Sequence, residues 1–379
     1  MGRFRSCTRW AWLGVALLSA GMPGTTRADS TGEWNPRWSV GGVLMWDYDR
    51  FDGVHTRESS GWENESELRR ARLALKAYVA KKWRVKLQVT FDDSESAVEV
   101  DDAYLRYSGW SFAALQLGQM KEPFGLEAST SSKEIPFIER SMATNAFAPG
   151  RQPGIALMGE MGSATWALGV FEATTDPEGP DTYAVTGRIT AAPLHREDHV
   201  LHIGASGSVR DWRGTYRIDE TAEVHSAREF VDSPEIDAEQ VRLAGGEVAW
   251  AWRALAVQAE GFAANVKAAD GGGARFTGGY VQGGWFVTGE SRPYESGVFG
   301  GIVPKRAWGA LELVARYGEV DLRDDGEGVA ASSVGVGANY YPNESVKVML
   351  NGLWAKRLDG DGSEVETGSA ISLRLQVVF

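Results

Sequence analysis

Apolar and polar side chains alternate with a period of two along most of this chain, and this pattern constrains the fold more than any other feature. In residues 83–91, one face carries only Trp, Val, Leu and Phe, and the other carries Arg, Lys, Gln and Thr. A helical repeat of 3.6 residues cannot produce that split. Residues 371–379 repeat it. Segment 67–79 also fits a helical stripe, but the adjacent strand pattern favours a strand. The sequence therefore predicts an all-β fold.

The first 28 residues have the features of a secretory signal peptide. Arg3, Arg5 and Arg9 form a basic start, residues 10–18 are largely apolar, and Ala28 ends the segment with a small side chain. The predicted organisation is therefore a cleaved signal over 1–28 and one barrel domain over 29–379. No later stretch approaches the 18 apolar residues of a membrane-spanning helix. If the mature chain crosses a membrane, it must do so with strands.

Composition excludes several classes of function. The formal charge is −12 for the whole chain, and it becomes more negative without the basic signal, which argues against a nucleic-acid partner. The single cysteine, Cys7, lies in the signal, so disulfides and cysteine-based metal centres are not expected. His195, His199 and His202 lie near one turn and could hold a metal, but exposed turn histidines are the default interpretation. We find no catalytic motif, and predict neither an enzyme nor a cofactor.

Long and short connections alternate along the chain, as in barrels of the bacterial outer membrane. The pattern predicts a transmembrane antiparallel β-barrel of about sixteen strands, with both termini at the periplasmic end. Residues 289–306 break the rhythm: either the strand count slips there, or the segment folds into the lumen. The predicted long loops are 51–66, 120–153 and 211–237, and the predicted short turns include 80–82, 108–109 and 162–163.

Aromatic residues near the predicted strand ends fit the two girdles of a membrane barrel. A secreted protein of two packed sheets would show the same alternation. That alternative explains neither the terminal Phe379 nor the loop rhythm. The predicted girdle residues are Trp83, Phe91, Tyr107, Trp110, Tyr340 and Tyr341.

Several segments together resemble the phosphate-selective porin O and P family. The most specific is residues 118–140, GQMKEPFGLEASTSSKEIPFIER, and the double arginine of 68–73, LRRARL, agrees with it. The resemblance implies a homotrimer of sixteen-stranded barrels in the Gram-negative outer membrane, in contact with lipid and lipopolysaccharide. It also implies pores that are narrowed by infolded segments and lined by arginines that guide phosphate inward.

Strand parity and the resemblance together predict the anion path. A planar guanidinium can replace the water that an anion loses in a constriction. The double-arginine motif adds Arg69, although strict parity points it outward. Asp101 or its neighbour Asp102 matches a family acid near the constriction. By parity the lumen-facing cations are Arg70, Arg72, Lys76, Arg84, Lys86 and Arg106, and the long infolding loop adds Lys121, Lys133, Arg140 and, at its end, Arg151.

Two departures from the family pattern leave the preferred anion open. Ala128 follows Gly-Leu-Glu where phosphate-specific members carry a lysine, and Val43 stands where they carry an arginine. Lys121 replaces an aromatic residue and could compensate in part. We therefore expect a channel for phosphate or a related small anion. The alternatives are a porin without phosphate specificity, a non-conducting structural barrel and an outer-membrane esterase or lipase.

Overall fold

The computed structural model describes residues 37–56, 61–91, 98–173, 182–362 and 365–379. The signal peptide predicted over 1–28 lies outside these residues. Within them, no helix combines the length and the hydropathy needed to span a membrane.

The described elements are mostly long strands. Two short helices, α1 (Leu126–Ser129) and α2 (Met142–Phe147), lie in the connection between β5 and β6. In chain order the strands are β1 (Arg37–Gly53), β2 (Glu63–Ala80), β3 (Trp83–Phe91), β4 (Val98–Tyr107), β5 (Ala114–Lys121), β6 (Arg151–Met161), β7 (Ala164–Glu172), β8 (Tyr183–Arg196), β9 (His199–Tyr216), β10 (Asp219–Thr221), β11 (Glu229–Asp232), β12 (Ile236–Trp252), β13 (Leu255–Ala268), β14 (Gly273–Phe286), β15 (Tyr294–Glu295), β16 (Val298–Phe299), β17 (Ala310–Asp321), β18 (Val329–Asn343), β19 (Val346–Asp359) and β20 (Val365–Val378).

Sixteen of the described strands form one closed antiparallel barrel, which confirms the predicted fold and strand number. Each barrel strand pairs with the barrel strands that precede and follow it in the chain, and β1 closes the ring against β20. The remaining four strands form two small hairpins, β10–β11 and β15–β16, that are not part of the barrel sheet. Closure gives every barrel strand two partners, so no edge is left with unpaired backbone groups.

The strand faces follow the predicted alternation. In β17, Leu313 and Tyr317 are exposed on the outside, whereas Glu312 and Arg316 are buried inside. The barrel is thus apolar outside and polar inside, the reverse of a soluble protein. Of the predicted girdle residues, Tyr341 was assigned wrongly: it is buried, and its hydroxyl donates to Glu312.

Residues 122–150, the constriction loop, cross the lumen as predicted. Main-chain groups of this loop bond to inward side chains of the far wall: Ile138 donates to Asn351, and the Ile135 carbonyl accepts from Lys347. Buried apolar side chains such as Phe124 and Phe147 pack it against β12 to β14. A loop held on both sides cannot leave the lumen without breaking these bonds.

A second segment, residues 217–235, also folds over the lumen, although the sequence indicated only a long outer loop there. Phe230 and Val231 of its β10–β11 hairpin are buried together with Phe147 of the constriction loop. Glu223 reaches down to Arg316 at 2.8 Å. We call this segment the cap, because it covers the constriction loop at the long-loop end of the barrel.

The long connection over 289–306 resolves the ambiguity in the strand count: the count holds, and the segment lies in the lumen. Its β15–β16 hairpin packs on wall residues through Phe299, and the Gly297 carbonyl accepts from Arg188 at 2.9 Å. His202 lies within hydrogen-bond distance of Tyr294 in this hairpin and of Glu247, at 2.6 and 3.0 Å. His202 is therefore buried rather than exposed.

The seam of the barrel gives a first prediction. A Cβ at Gly42 would lie 2.5 Å from the Phe379 ring and 2.7 Å from the Arg72 carbonyl, so Gly42→Ala must push the closing strands apart. We expect a loss of about 1–3 kcal/mol, seen as unfolding at a lower temperature in detergent gels. Gly246→Ala, with no heavy atom within 4 Å, is the control and should unfold like the wild type. Equal behaviour of the two variants would contradict a close-packed seam.

Candidate functional site

A cavity of about 570 Å³ lies between the constriction loop and the wall formed by β1 to β5. Among the described residues, eight basic side chains and one acidic side chain line it, together with the hydroxyls of Ser129, Ser131 and Ser132. These cations come from the wall strands and from the loop, so they converge only when the loop folds inward. The cations are Arg70, Arg72, Lys76, Lys86, Lys121, Lys133, Arg140 and Arg151, and the acidic side chain is Asp102.

Two adjacent aspartates brace one part of this cavity. The pairing of β3 with β4 shifts register between Gln88 and Val89, and this bulge turns both Asp101 and Asp102 inward. Asp101 pairs with Arg72 at 2.7 Å and Arg151 at 3.2 Å. Asp102 pairs with Lys86 at 2.5 Å and Arg151 at 3.0 Å. These three cations are therefore held in place and partly neutralised.

Other cations at the cavity have main-chain partners instead of carboxylates. Arg140 donates to the carbonyls of Glu127 and Thr130 at 3.1 and 2.9 Å, and Lys121 donates to the carbonyl of Ala128. In the described part of the chain, Arg70 forms no ion pair. A carbonyl carries no formal charge, so in the described residues no carboxylate offsets the charge of these three side chains through a direct bond.

Arg69 points inward, contrary to the parity expectation. The pairing of β1 with β2 shifts register between Met45 and Asp47, which leaves an extra residue in β2 and turns Arg69 into the lumen. There it binds Glu139 of the constriction loop at 2.9 Å, and Arg374 binds the same carboxylate at 2.8 Å.

Glu139 is surrounded by three arginines. Arg70 lines the cavity, whereas Arg69 and Arg374 are not part of its described lining. Burial would raise the pKa of Glu139, but Arg69, Arg374 and Arg70 hold this pKa well below its usual range. The carboxylate stays charged and anchors the loop. Neither Glu139 nor Arg374 was predicted from the sequence as a site residue. The position of Arg374 on the polar face of the last strand was the one available signal.

Two predicted path residues lie apart from the main cavity. Arg84 and Arg106 face each other across β3 and β4, near the end of the barrel that carries the short turns. Arg106 lines a second cavity of about 480 Å³ that also includes Arg188. The structure thus brings together eight of the predicted cations and places Arg69 and Asp101 directly beside them. Arg84 and Arg106 lie apart from this group.

No group of three or more His, Cys, Asp or Glu side chains is arranged for a metal ion within the described residues. Of the three histidines near the turn, His199 contacts Trp250, whereas His195 and His202 both contact the ring of Tyr294. The chemistry of the lumen is instead that of charged hydrogen-bond donors.

The docking of the cap is expected to depend on pH through Glu220. Burial, together with Asp219, Glu139 and Glu229, raises the pKa of Glu220 to about 7. A carboxyl with a raised pKa favours the docked cap at low pH, and this stability is lost as pH rises from about 4.5 through 7. We expect the protection factors of the amides in 217–235, which are corrected for the intrinsic pH dependence of exchange, to fall over that range, and Glu220→Gln to abolish this fall. Glu235→Gln, at an exposed carboxyl of the same segment, should retain it; loss in both would contradict the assignment.

Comparisons with known proteins agree with this architecture. Porin O of Pseudomonas aeruginosa is 28% identical, over 90% of this chain and 88% of that protein. The anion-selective porin from Comamonas acidovorans superposes with a TM-score of 0.59 at 10% identity, covering 91% of this chain and all of that one. The outer-membrane channel DcaP of Acinetobacter baumannii gives 0.60 at 14% identity, covering 91% and 97%. At such identities the two structures show the fold alone.

The sequence also matches a family described as phosphate-selective porin O and P over residues 39–379. This match covers the barrel strands from near the start of β1 to the terminal Phe379. The chain belongs to the phosphate-selective porin O and P family, and is a channel of the Gram-negative outer membrane rather than an enzyme.

Proposed function

We propose that anions cross this barrel along the cation-lined cavity, and that Arg70, Lys121 and Arg140 form its principal binding site. The observation that supports this proposal is the lining itself: eight basic side chains against one acidic side chain in the described residues, beside a loop that crosses the lumen. Such a lining attracts anions and repels cations even though the whole chain carries a formal charge of −12. Local placement of charge thus decides selectivity.

A phosphate-like anion fits the donors of this site best. A planar guanidinium binds two oxygens of a phosphate, and the loop hydroxyls of Ser129, Ser131 and Ser132 line the same space. Lys121 brings its ammonium to the main chain of Ala128, where phosphate-specific family members carry a lysine. We propose that Lys121 takes over part of that role. The names of the relatives, Porin O and an anion-selective porin, support the same direction.

The other predicted path residues take supporting roles in this proposal. Arg72, Lys86 and Arg151 are held by Asp101 and Asp102, so they set the shape and potential of the constriction. Three further cations, Lys76, Arg84 and Arg106, would draw the anion onward from the constriction. Arg69 would anchor the loop rather than bind the anion, because Glu139 occupies its guanidinium.

Ion selectivity in planar bilayers tests the proposal. In a gradient of potassium chloride, the reversal potential of the purified channel should have the sign of anion flow, and added phosphate should block the chloride current. Arg70→Ala should weaken both properties, because it removes a cation without an ion pair in the described chain. Cation selectivity would overturn the proposal. A selective current that phosphate does not block would indicate another anion.

We further propose that the mature protein begins after Ala28 and assembles as a homotrimer in contact with lipopolysaccharide. The signal features of residues 1–28 support the first point, and a structural relative, OmpT of Vibrio cholerae, is described in a trimer form. Mass spectrometry of the purified protein would give the mature N-terminus. Chemical crosslinking in the outer membrane would give the number of subunits.

A further inference from the structure

The two loop cations of the proposed site are aimed by one short turn of backbone. Lys121 and Arg140 lie 19 positions apart in the sequence, yet both donate to carbonyls of residues 127–130, in and just after α1. If α1 moved, both cations would lose these acceptors together. The position of α1 therefore decides where the two charges lie.

A four-residue helix is too short to be stable by itself, so contacts from outside must hold α1. The amides of Leu126 and Glu127 donate to the two carboxylate oxygens of Glu260 in β13, at 2.6 and 2.7 Å. Tyr280 donates to the same carboxylate at 2.5 Å and fixes its orientation. Glu260 is only 4% exposed, so water does not compete for these bonds.

Glu260 lies on the far side of the constriction loop from the anion cavity. Residues of β1 to β6, of the loop and of the C-terminus line that cavity, and no residue of β13 is among its described lining. Glu260 thus cannot act by direct contact with an anion there.

We propose that Glu260 is a positioning residue for anion selectivity. Its carboxylate fixes the amide end of α1, and the carbonyls at the other end then direct Lys121 and Arg140 into the cavity. This inference rests on the proposed function, in which those two cations bind the passing anion. A residue on the opposite wall, 134 positions from its partner Leu126, would then set the affinity of the pore.

Phosphate block of the chloride current, measured with the full-length protein in planar bilayers, tests this role. Glu260→Gln keeps the shape but presents an amide where an acceptor is needed, so we expect the Kd for phosphate to rise about tenfold. The control is Glu312→Gln, a wall carboxylate that is equally buried and bonds to Arg292, Asn339 and Tyr341 rather than to α1. This variant should keep the wild-type Kd.

A combined variant separates positioning from a general loss of structure. In a Lys121→Gln, Arg140→Gln background, Glu260→Gln should have no further effect on phosphate block, because its targets are gone. A merely structural role would lower the affinity further in that background. Such an additive loss would overturn the proposal.

If Glu260→Gln does not assemble into a barrel, a second variant tests the same contact. Gly125 has a φ of 63°, and a Cβ there would lie 2.9 Å from Oε2 of Glu260. Gly125→Ala should therefore displace the same carboxylate and weaken block in the same way. Weaker block in Lys121→Gln without any change in Glu260→Gln or Gly125→Ala overturns the positioning role alone. Unchanged block in all three overturns the proposed anion site, and the positioning role with it.

Discussion

Replacing both loop cations, Lys121→Gln with Arg140→Gln, should raise the Kd for phosphate block about a hundredfold. Each side chain supplies charged donors to the cavity and has a main-chain carbonyl as its partner. A hydrogen bond between charged groups is worth about 1.5–3 kcal/mol, so two lost bonds account for a change of this size. The same variant should shift the reversal potential toward zero, since the lining loses two of its eight cations.

Lys82→Gln is the matched control for that experiment. Lys82 lies at the turn between β2 and β3, is exposed, and donates to the Gly109 carbonyl, away from the cavity. Removing its charge makes the net charge of the protein more negative by one unit. The Kd for phosphate block should nevertheless stay within about twofold of the wild type, because an exposed charge is screened by salt. Equal effects from the loop and turn variants would mean that overall charge, not the cavity, sets the affinity.

Arg316→Met should open the pore and destabilise the barrel. Arg316 is 3% exposed, and its guanidinium joins the constriction loop to the cap: it binds Glu127 of the loop at 3.1 Å and Glu223 of the cap at 2.8 Å. Methionine would leave two carboxylates buried without a cation, at a cost of about 3–5 kcal/mol. We expect both segments to loosen, with a larger single-channel conductance and a lower unfolding temperature.

Adding Glu223→Gln to Arg316→Met should restore part of the stability, because one of the uncompensated charges is removed. It should not restore the narrow pore, since the link between the cap and the constriction loop is still missing. Wild-type conductance in Arg316→Met would show that other contacts suffice to hold the constriction loop.

Strand parity was enough to predict much of the fold and of the cation lining. Alternation in 83–91 predicted β3 and its faces, and the terminal alternation predicted β20. A residue's face in a barrel depends only on its position within its own strand. Arg70, Arg72 and Lys86 could therefore be assigned to the lumen before any partner was known.

Bulges limit that reasoning. One extra residue reverses the parity of every later residue in its strand, and nothing in the local sequence marks where it falls. Strict parity alone points Arg69 outward, yet its side chain faces inward, and the bulge in β4 turns both of the neighbours Asp101 and Asp102 into the lumen. These two departures from strict parity have the same physical cause.

Contacts between the lumen segments and the wall could not be predicted either. Glu260 meets Leu126 across 134 residues, and Arg316 meets Glu127 across 189. Neither pair has a local pattern, because the pairing depends on how the barrel closes and where the loop crosses it. For the same reason, the sequence predicted only a long loop over 211–237, where the cap lies.

Arg374 has a consequence for assembly. Its guanidinium joins Asp47 of β1 at 2.6 Å and Glu139 of the constriction loop at 2.8 Å, so one side chain of the last strand binds both the first strand and the loop. The bond to Asp47 can form only when the first and last strands meet, and the same guanidinium then holds the loop. We therefore expect sealing of the ring and narrowing of its bore to be a single event. A newly inserted barrel would then never have a wide, unobstructed pore through which periplasmic solutes could escape.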